Sequence, residues 1–475
     1  MTRIAIDPLT RVEGHGKITL QQDEQGRISE ARLHIVEFRG FEKFIQGRPW
    51  WEAPVLVQRL CGICPVSHHL AAAKAMDDLT GVTPDPVAVR LRRLMHYGQV
   101  LQSHALHFFH LASPDLLFGY DDAPRHRNIV GLVQDHPDLA MQGIRLRQFG
   151  QQVIEAVAGK RIHGVAAIAG GVNRGLERAV RDELRQRLPE ILDWAQQALA
   201  LIERIFDADR THHLDFACIE TRMMGLVDEQ GALELYEGRL RVIEADGSLR
   251  IDGFPPEDYL DLLAEHVEPW SYMKFPFLRA LGAEQGWYRV GPLARVNLCD
   301  RIPTPLADAA RQGFMALGEG RPVQASLAYH WARLVELLHC AEVIGELLED
   351  DRLLQSPPVV EGEPRGRGIG VIEAPRGTLI HHYEVDDDGL IERANLIVST
   401  THNNRAMNES LRQVAQRHLD GRELTEPLLN LLEVAVRAYD PCLSCATHAL
   451  GAMPLAVELL DASGRCIDRR LRDGG

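Results

Sequence analysis

Two cysteine pairs of identical spacing stand at opposite ends of this chain, and together they set the strongest constraint on its fold. "RLCGIC" places Cys61 and Cys64 near the N-terminus, "DPCLSC" places Cys442 and Cys445 near the C-terminus, and 377 residues lie between Cys64 and Cys442. A local zinc ribbon spaces its pairs by about 15–20 residues. If these thiols meet, the whole tertiary structure has to bring them together. Spacing alone leaves three chemistries open: a four-cysteine structural zinc site, a redox dithiol at a helix N-terminus, or a thiolate-held transition-metal site with open positions. Covalent haem is excluded, because Pro65 and Ala446 stand where C-x-x-C-H requires histidine. A thioredoxin-like dithiol follows a buried strand in a βαβ unit, and none is legible before Cys61. The neighbours favour the third chemistry. Arg59 and His68 flank the first pair, Asp440 and His448 the second. Burying such groups is costly without partners; a plain scaffold has no need of them, whereas a reactive metal is tuned by its surroundings.

The bulk properties narrow the class. A chain of 475 residues can bury a core without disulfides, as about three domains or one large interleaved unit. With 52 Lys and Arg against 67 Asp and Glu, the net charge of −15 repels phosphate backbones and argues against nucleic acid as a partner. No apolar run approaches the length of a membrane span. The opening "MTRIAIDPLTRVEGHGKITL" lacks the apolar core of a secretory signal, so a cytoplasmic location is expected. Of the eight cysteines, Cys218, Cys299 and Cys340 stand alone and read as small buried hydrophobes.

Periodicity predicts a mainly α protein of α+β type, a helical core with peripheral β-hairpins. Hairpins are expected in "KITLQQDEQGRISEARLHIV", in 233–244 with 249–251, in "TLIHHYEVDDDGLIERANLIV" and in "LAVELLDASGRCIDRRL". Helices are expected over 65–79, 87–110, 177–206, 322–348 and 404–438, the first opening on Pro65, where a missing N–H is harmless. No repeat and no long linker divides the chain.

At these residues the chain resembles the large, catalytic subunit of nickel–iron hydrogenases. That family carries R-x-C-G-x-C-x-x-x-H and D-P-C-x-x-C-x-x-H, met here by Arg59, Cys61, Gly62, Cys64 and His68, and by Asp440, Pro441, Cys442, Cys445 and His448. "DPLTRVEGH", "FRGFE" and "EAPRG" match three further stretches, so the likeness spans residues 5 to 448.

The resemblance implies a helical core in one interleaved domain, 1–448, and a reversible splitting of dihydrogen. All four cysteines would bind nickel, with Cys64 and Cys445 also bridging to an iron that carries carbon monoxide and cyanide. Glu13 would relay protons beside Cys442. Arg376, after Pro375 in "APRG", would hang over the open metal position, held by Asp440 and Asp115. Glu42 and His448 would bind magnesium or a similar ion. His68 would support the thiolates, and Ser399 would hydrogen-bond a cyanide, although Val398 stands where the family has proline. Residues 449–475 would be a maturation extension, cut at or beside His448, in the region of His448 and Ala449, by a dedicated protease once nickel and iron insertion proteins have filled the site.

The implied partners are an iron–sulfur small subunit, and with it flavin-containing diaphorase subunits. The chain is most similar to the soluble bidirectional type that reduces NAD, with iron–sulfur clusters, flavin and NAD all held outside this chain. A deazaflavin-reducing or uptake hydrogenase large subunit is the alternative; a structural zinc protein and the quinone-site subunit of respiratory complex I, which lacks the four cysteines, are more distant ones.

Three other features carry little. His104, His107 and His110 recur every third residue, but their helical face drifts too far for one ion. "GRGIG" at 366–370 lacks the strand–turn–helix setting of a nucleotide loop. His381 and His382 are strand neighbours and face opposite ways.

Overall fold

The computed structural model describes residues 3–6, 9–25, 27–419, 425–448, 455–460 and 466–472, with side chains for 9–25, 27–419 and 425–448. Long helices form the centre: Pro65–Thr80, Pro86–Leu106, Pro137–Ala158, Arg178–Ala208 and Ala328–Leu348. Three of them start on proline, and Asp85 caps Pro86–Leu106 by accepting from the Val87 amide at 2.8 Å. The helix at Pro65–Thr80 ends where Gly81 turns left-handed at φ 63°. Within the described residues no helix is long and apolar enough to cross a membrane.

Small antiparallel sheets lie around this centre. Gly16–Gln22 pairs with Ile28–Ile35, Arg239–Ile243 with Leu249–Phe254, and Gly377–Val385 with both Arg367–Ala374 and Ile391–Ile397. The hairpins expected from alternation are therefore present, including Leu455–Leu460 with Cys466–Arg472 in the C-terminal stretch. One continuous buried cluster joins the first sheet, the helices and all four paired cysteines.

The sheet strand Arg367–Ala374 lies directly on helix Pro65–Thr80. A Cβ on Gly368 or Gly370 would come within 2.1 Å of the Ala75 carbonyl or 2.0 Å of the Ala71 carbonyl. The glycines of "GRGIG" thus let a strand approach a helix backbone.

Three expected helices differ from what forms. The stretch 322–348 becomes helical only at Ala328, and 404–438 is two helices, Asn404–Leu419 and Glu426–Arg437. Pro86–Leu106 widens into a π-helical stretch, His107–Ala112, before Ser113–Phe118 resumes the α form. Helix Pro137–Ala158 is not expected from periodicity; it exposes Met141 and Ile144, which blurs its apolar stripe.

The two ends of the chain are tied backbone to backbone. Glu13 forms a parallel bridge with Cys442, and the Leu443 amide donates to the Glu13 carbonyl at 3.0 Å. Nearby, the Gly40 amide donates to the Thr447 carbonyl at 3.4 Å, and the Arg39 amide to the Thr447 hydroxyl at 3.2 Å. These contacts carry the C-terminal cysteines to the loop that holds the N-terminal pair.

Candidate metal centre

Cys61 and Cys64 sit at the mouth of helix Pro65–Thr80, and Cys442 and Cys445 on the turn after helix Glu426–Arg437. Their four sulfurs lie within 4.8 Å of one another, all buried. Cys61 and Cys442 are 3.3 Å apart, Cys442 and Cys445 2.8 Å, and Cys64 and Cys445 4.0 Å. Four thiolates this close repel one another unless a cation joins them. Hydrogen bonds from Cys442 and Cys445 bring the Cys64 thiol pKa down to about 6. Burial works against the charge on Cys61, but bonds from the other thiols hold it well below its ordinary value. Burial pushes Cys442 and Cys445 well up. Four convergent soft donors, faced by a single buried guanidinium, fit a thiophilic metal centre.

Glu13 lies against this cluster. Its carboxylate accepts from the Ser444 amide at 3.1 Å and from the Ser444 hydroxyl, and it also bonds Cys442. Burial raises its pKa above the usual carboxylate value, against those hydrogen bonds and Arg376. It does not pair with Arg11, whose guanidinium goes to Asp115.

Arg376 stands at the tip of the hairpin between Arg367–Ala374 and Gly377–Val385. Its Nε donates to the Asp440 carbonyl at 2.5 Å and Nη2 to the Asp440 carboxylate at 3.0 Å. Burial opposes its charge, but Asp440, Cys442, Cys64 and Cys61 outweigh that and hold it firmly protonated. Asp440 sits at φ 54°, a left-handed conformation that Asp tolerates better than most residues. Its carboxylate also meets His107 Nδ1 at 2.9 Å. Burial would raise the Asp440 pKa, but Arg376, His107 and Arg333 hold it well below the carboxylate range.

The expectation for Asp115 needs correction. Its carboxylate is taken by Arg11 at 2.5 Å, Arg437 at 2.6 Å and Arg127 at 3.3 Å. The residue of that helical stretch that reaches Arg376 is Ser103, whose hydroxyl accepts from Nη1 at 3.4 Å. Three guanidiniums compete for Asp115, and a buried carboxylate follows the charge nearest to it. Arg59 also departs from expectation: it is exposed and bonds His163 at 2.8 Å, so it is no buried neighbour of the thiols.

Glu42, in the short helix Phe41–Phe44, and His448 are both buried, their segments joined by the Gly40–Thr447 bond. Glu42 accepts from the Leu396 amide at 2.8 Å and from the Lys274 ammonium at 3.2 and 3.3 Å. Among the described residues, neither ring nitrogen of His448 has a hydrogen-bond partner of good geometry. Burial, then the Lys274 charge, lowers His448 to about 3, leaving a neutral imidazole free to act as a ligand. His68 Nδ1 bonds His381 at 3.1 Å, and His381 in turn bonds the Tyr383 hydroxyl at 2.7 Å.

Ser399 donates to the Gly377 carbonyl at 2.7 Å, beside the Arg376 turn. Val398, at φ −77°, adopts an angle proline would impose, so the departure from the family pattern leaves the backbone path intact. His104, His107 and His110 share no site, since His104 turns to Glu336 and His107 to Asp440. His382 faces Tyr259 at 3.0 Å, away from His381's partners.

Residues that sequence reasoning missed are Ser103, His107, Thr400 and Ser444. Thr400 Oγ1 accepts from the Cys442 amide at 2.9 Å. The "LIVSTTHNN" stretch carried a signal for Thr400, as the neighbour of Ser399. For Ser103 and His107 only the fold supplies one.

Comparison with known proteins agrees with this geometry. The nickel-dependent hydrogenase family profile matches residues 39–118 and 257–448, and a HoxH, HoxL-like profile matches 3–38. The chain is 48% identical to the beta subunit of the NAD-reducing hydrogenase HoxS of Cupriavidus necator, over 99% of each chain. It is 42% identical to a chain of the F420-non-reducing hydrogenase of Methanothermobacter marburgensis, over 99% of this chain and 100% of that one. The crystal structure of an NAD+-reducing [NiFe]-hydrogenase in the H2-reduced state superposes with a TM-score of 0.92 at 58% identity, covering 94% of this chain and 100% of that one. The chain belongs to the nickel-dependent hydrogenase family, as a large subunit whose four clustered cysteines can bind a metal centre.

Proposed function

We propose that the four thiols would hold nickel, that Cys64 and Cys445 would also serve as ligands to an iron bearing carbon monoxide and cyanide, and that electrons from dihydrogen pass through partner subunits to NAD. The convergence of four buried sulfurs from the two ends of the chain carries this reading. When bound, the metals supply the binding and polarisation of dihydrogen, a very weak acid, and accept its electrons.

The chain's own residues handle the proton and the field. Glu13, its pKa raised by burial and its carboxylate on Cys442, takes a proton from that sulfur and passes it outward. Arg376 stays charged and acts by polarising the space over the sulfurs. Asp440, braced by His107, fixes the guanidinium.

Glu42 and the neutral imidazole of His448 would bind magnesium or a similar ion, with Lys274 displaced from Glu42 or sharing it. Residues 449–475 would be removed after metal insertion, by a protease cutting beside His448; Ala449 lies outside the described residues, and nickel and iron insertion proteins would act before the cut.

An iron–sulfur small subunit is needed because the other described cysteines, Cys218, Cys299 and Cys340, gather at no metal-binding cluster. The likeness to NAD-reducing hydrogenases supports flavin-containing diaphorase subunits as partners and a cytoplasmic setting. Elemental analysis and infrared spectroscopy of the purified complex test the reading. One nickel per large subunit, iron in excess of it by the partner's clusters, and carbon monoxide and cyanide bands are expected; zinc alone would refute it. Hydrogen-driven NAD reduction by the complex tests the acceptor, and reduction of a deazaflavin in its place would favour the alternative.

A further inference from the structure

Behind the turn that carries Arg376 lies an ion-pair network with no exposure to solvent. Arg295, in helix Pro292–Leu298, grips both oxygens of Glu336 at 2.6 Å through Nε and Nη2. Its Nη1 donates to the Glu373 carboxylate at 2.7 Å and to the Ala374 carbonyl at 2.9 Å, and Nη2 reaches the Pro375 carbonyl at 3.3 Å. One guanidinium therefore holds a side chain and two carbonyls from the three residues that immediately precede Arg376.

The network closes across the hairpin. Ala374 pairs with Gly377, so Pro375 and Arg376 form a two-residue tip, and Glu373 stands opposite Thr378. The second oxygen of Glu373 accepts from the Thr378 hydroxyl at 2.7 Å and from the Leu226 amide at 3.1 Å. Glu336 is held in turn by His104 at 2.9 Å. On the far side, Gly291 packs so closely that a Cβ there would lie 2.8 Å from the Arg376 carbonyl.

Stability alone does not require this arrangement. One cation and two carboxylates, all fully buried, cost desolvation that well-packed hydrophobic side chains would avoid. What the ions supply and hydrophobic packing does not is direction: a planar fork fixes the plane of the turn as well as its position. Arg376 is a long side chain that springs from the tip of this turn and is caught by Asp440 at its far end. A small rotation at the root swings the guanidinium away from the sulfurs.

We propose that Arg295, with Glu336, Glu373 and Thr378, is a positioning device for Arg376, setting the hairpin tip so that the guanidinium stands over the metal-binding sulfurs. The inference rests on the reading that Arg376 acts on the reaction. Its test compares Arg295→Lys, which keeps the charge and loses the fork, and Thr378→Val, which removes one hydroxyl and no charge, with Arg376→Lys in the intact complex. Nickel and iron content, melting temperature, the infrared band positions of the iron's carbon monoxide and cyanide, and kcat and KM for hydrogen are measured for each.

The expected result is near-normal metal content, infrared bands displaced in the same direction as in Arg376→Lys, and a kcat loss for Arg295→Lys approaching about 100-fold, the scale of a misplaced catalytic group. Thr378→Val should move the bands the same way with a smaller loss. Wild-type bands and kcat in both variants, with Arg376→Lys impaired, overturn the inference and leave the role of Arg376 standing. A purely structural brace would lower the melting temperature and leave bands and kcat per nickel unchanged, and that result also overturns it. Wild-type turnover in Arg376→Lys overturns the underlying reading itself. If Arg295→Lys does not accumulate, Thr378→Val decides by the same criteria.

Discussion

The amide of Ser444 donates to a carboxylate oxygen of Glu13 at 3.1 Å, across 431 positions of sequence. The bond closes the turn that carries Cys442 and Cys445 over the N-terminal segment and leaves a half-buried carboxyl, its pKa raised by burial, on Cys442. Replacing Glu13 by glutamine keeps the volume and part of the hydrogen bonding but cannot carry a proton. Glu13→Gln should retain nickel and iron while hydrogen–deuterium exchange with water falls by about 100-fold or more, the usual scale for loss of a general acid–base group. Unchanged exchange would remove Glu13 from the proton path.

Cys445 contacts both Cys442 and Cys64, so it links the two pairs. Cys445→Ser should leave the complex without nickel. If cleavage at His448 waits for metal insertion, intact-mass measurement should find the C-terminal extension still attached. A cut tail on a metal-free chain would break that link.

Asp115 serves a different purpose from Asp440. It neutralises Arg11, Arg127 and Arg437, which tie the N-terminal segment, the helical centre and the last helix together. Asp115→Asn leaves buried guanidiniums uncompensated and should cost about 3–5 kcal/mol. Thermal denaturation should report the loss, while kcat per bound nickel stays close to wild type. Normal stability with a collapse in kcat would return Asp115 to the catalytic group.

Acid should destabilise the chain through buried neutral histidines. His69 donates from Nδ1 to the Pro54 carbonyl at 2.7 Å, while Nε2 accepts from the amides of Ala166 and Ala167 at 3.2 and 3.0 Å. A proton on Nε2 would break both of these bonds, and burial lowers this imidazole to about 4. Because the folded value lies below the unfolded one, its stabilisation is complete above about pH 6.5 and declines as pH falls towards 4, by about 1.4 kcal/mol per pH unit. Urea denaturation between pH 8 and pH 5 should show the decline, and His69→Gln should flatten it; an equal slope in wild type and variant would contradict the assignment.

Much of this was legible along the chain. Pro65 after Cys64, the alternating runs of the hairpins and the paired cysteines are local patterns, and local geometry follows from them. Helix Pro137–Ala158 escapes a reading of the sequence because Met141 and Ile144 stand on its otherwise polar outward face and blur the apolar period. The glycines of 366–370 form no nucleotide loop, as their setting in the sequence implies, but their use against helix Pro65–Thr80 is a tertiary contact that leaves no local mark.

The sequence by itself determined which atoms could bind metal, because thiol chemistry and its spacing belong to residue types. Only the tertiary structure decided which charges meet. Along one helical stretch, an acid at position 115 and a hydroxyl at position 103 were both within reach of Arg376 in principle. Packing gave the acid to three other arginines and the hydroxyl to Arg376. The reason is that the partner of a buried ion is chosen by desolvation and proximity, which depend on every element packed around it and on none alone.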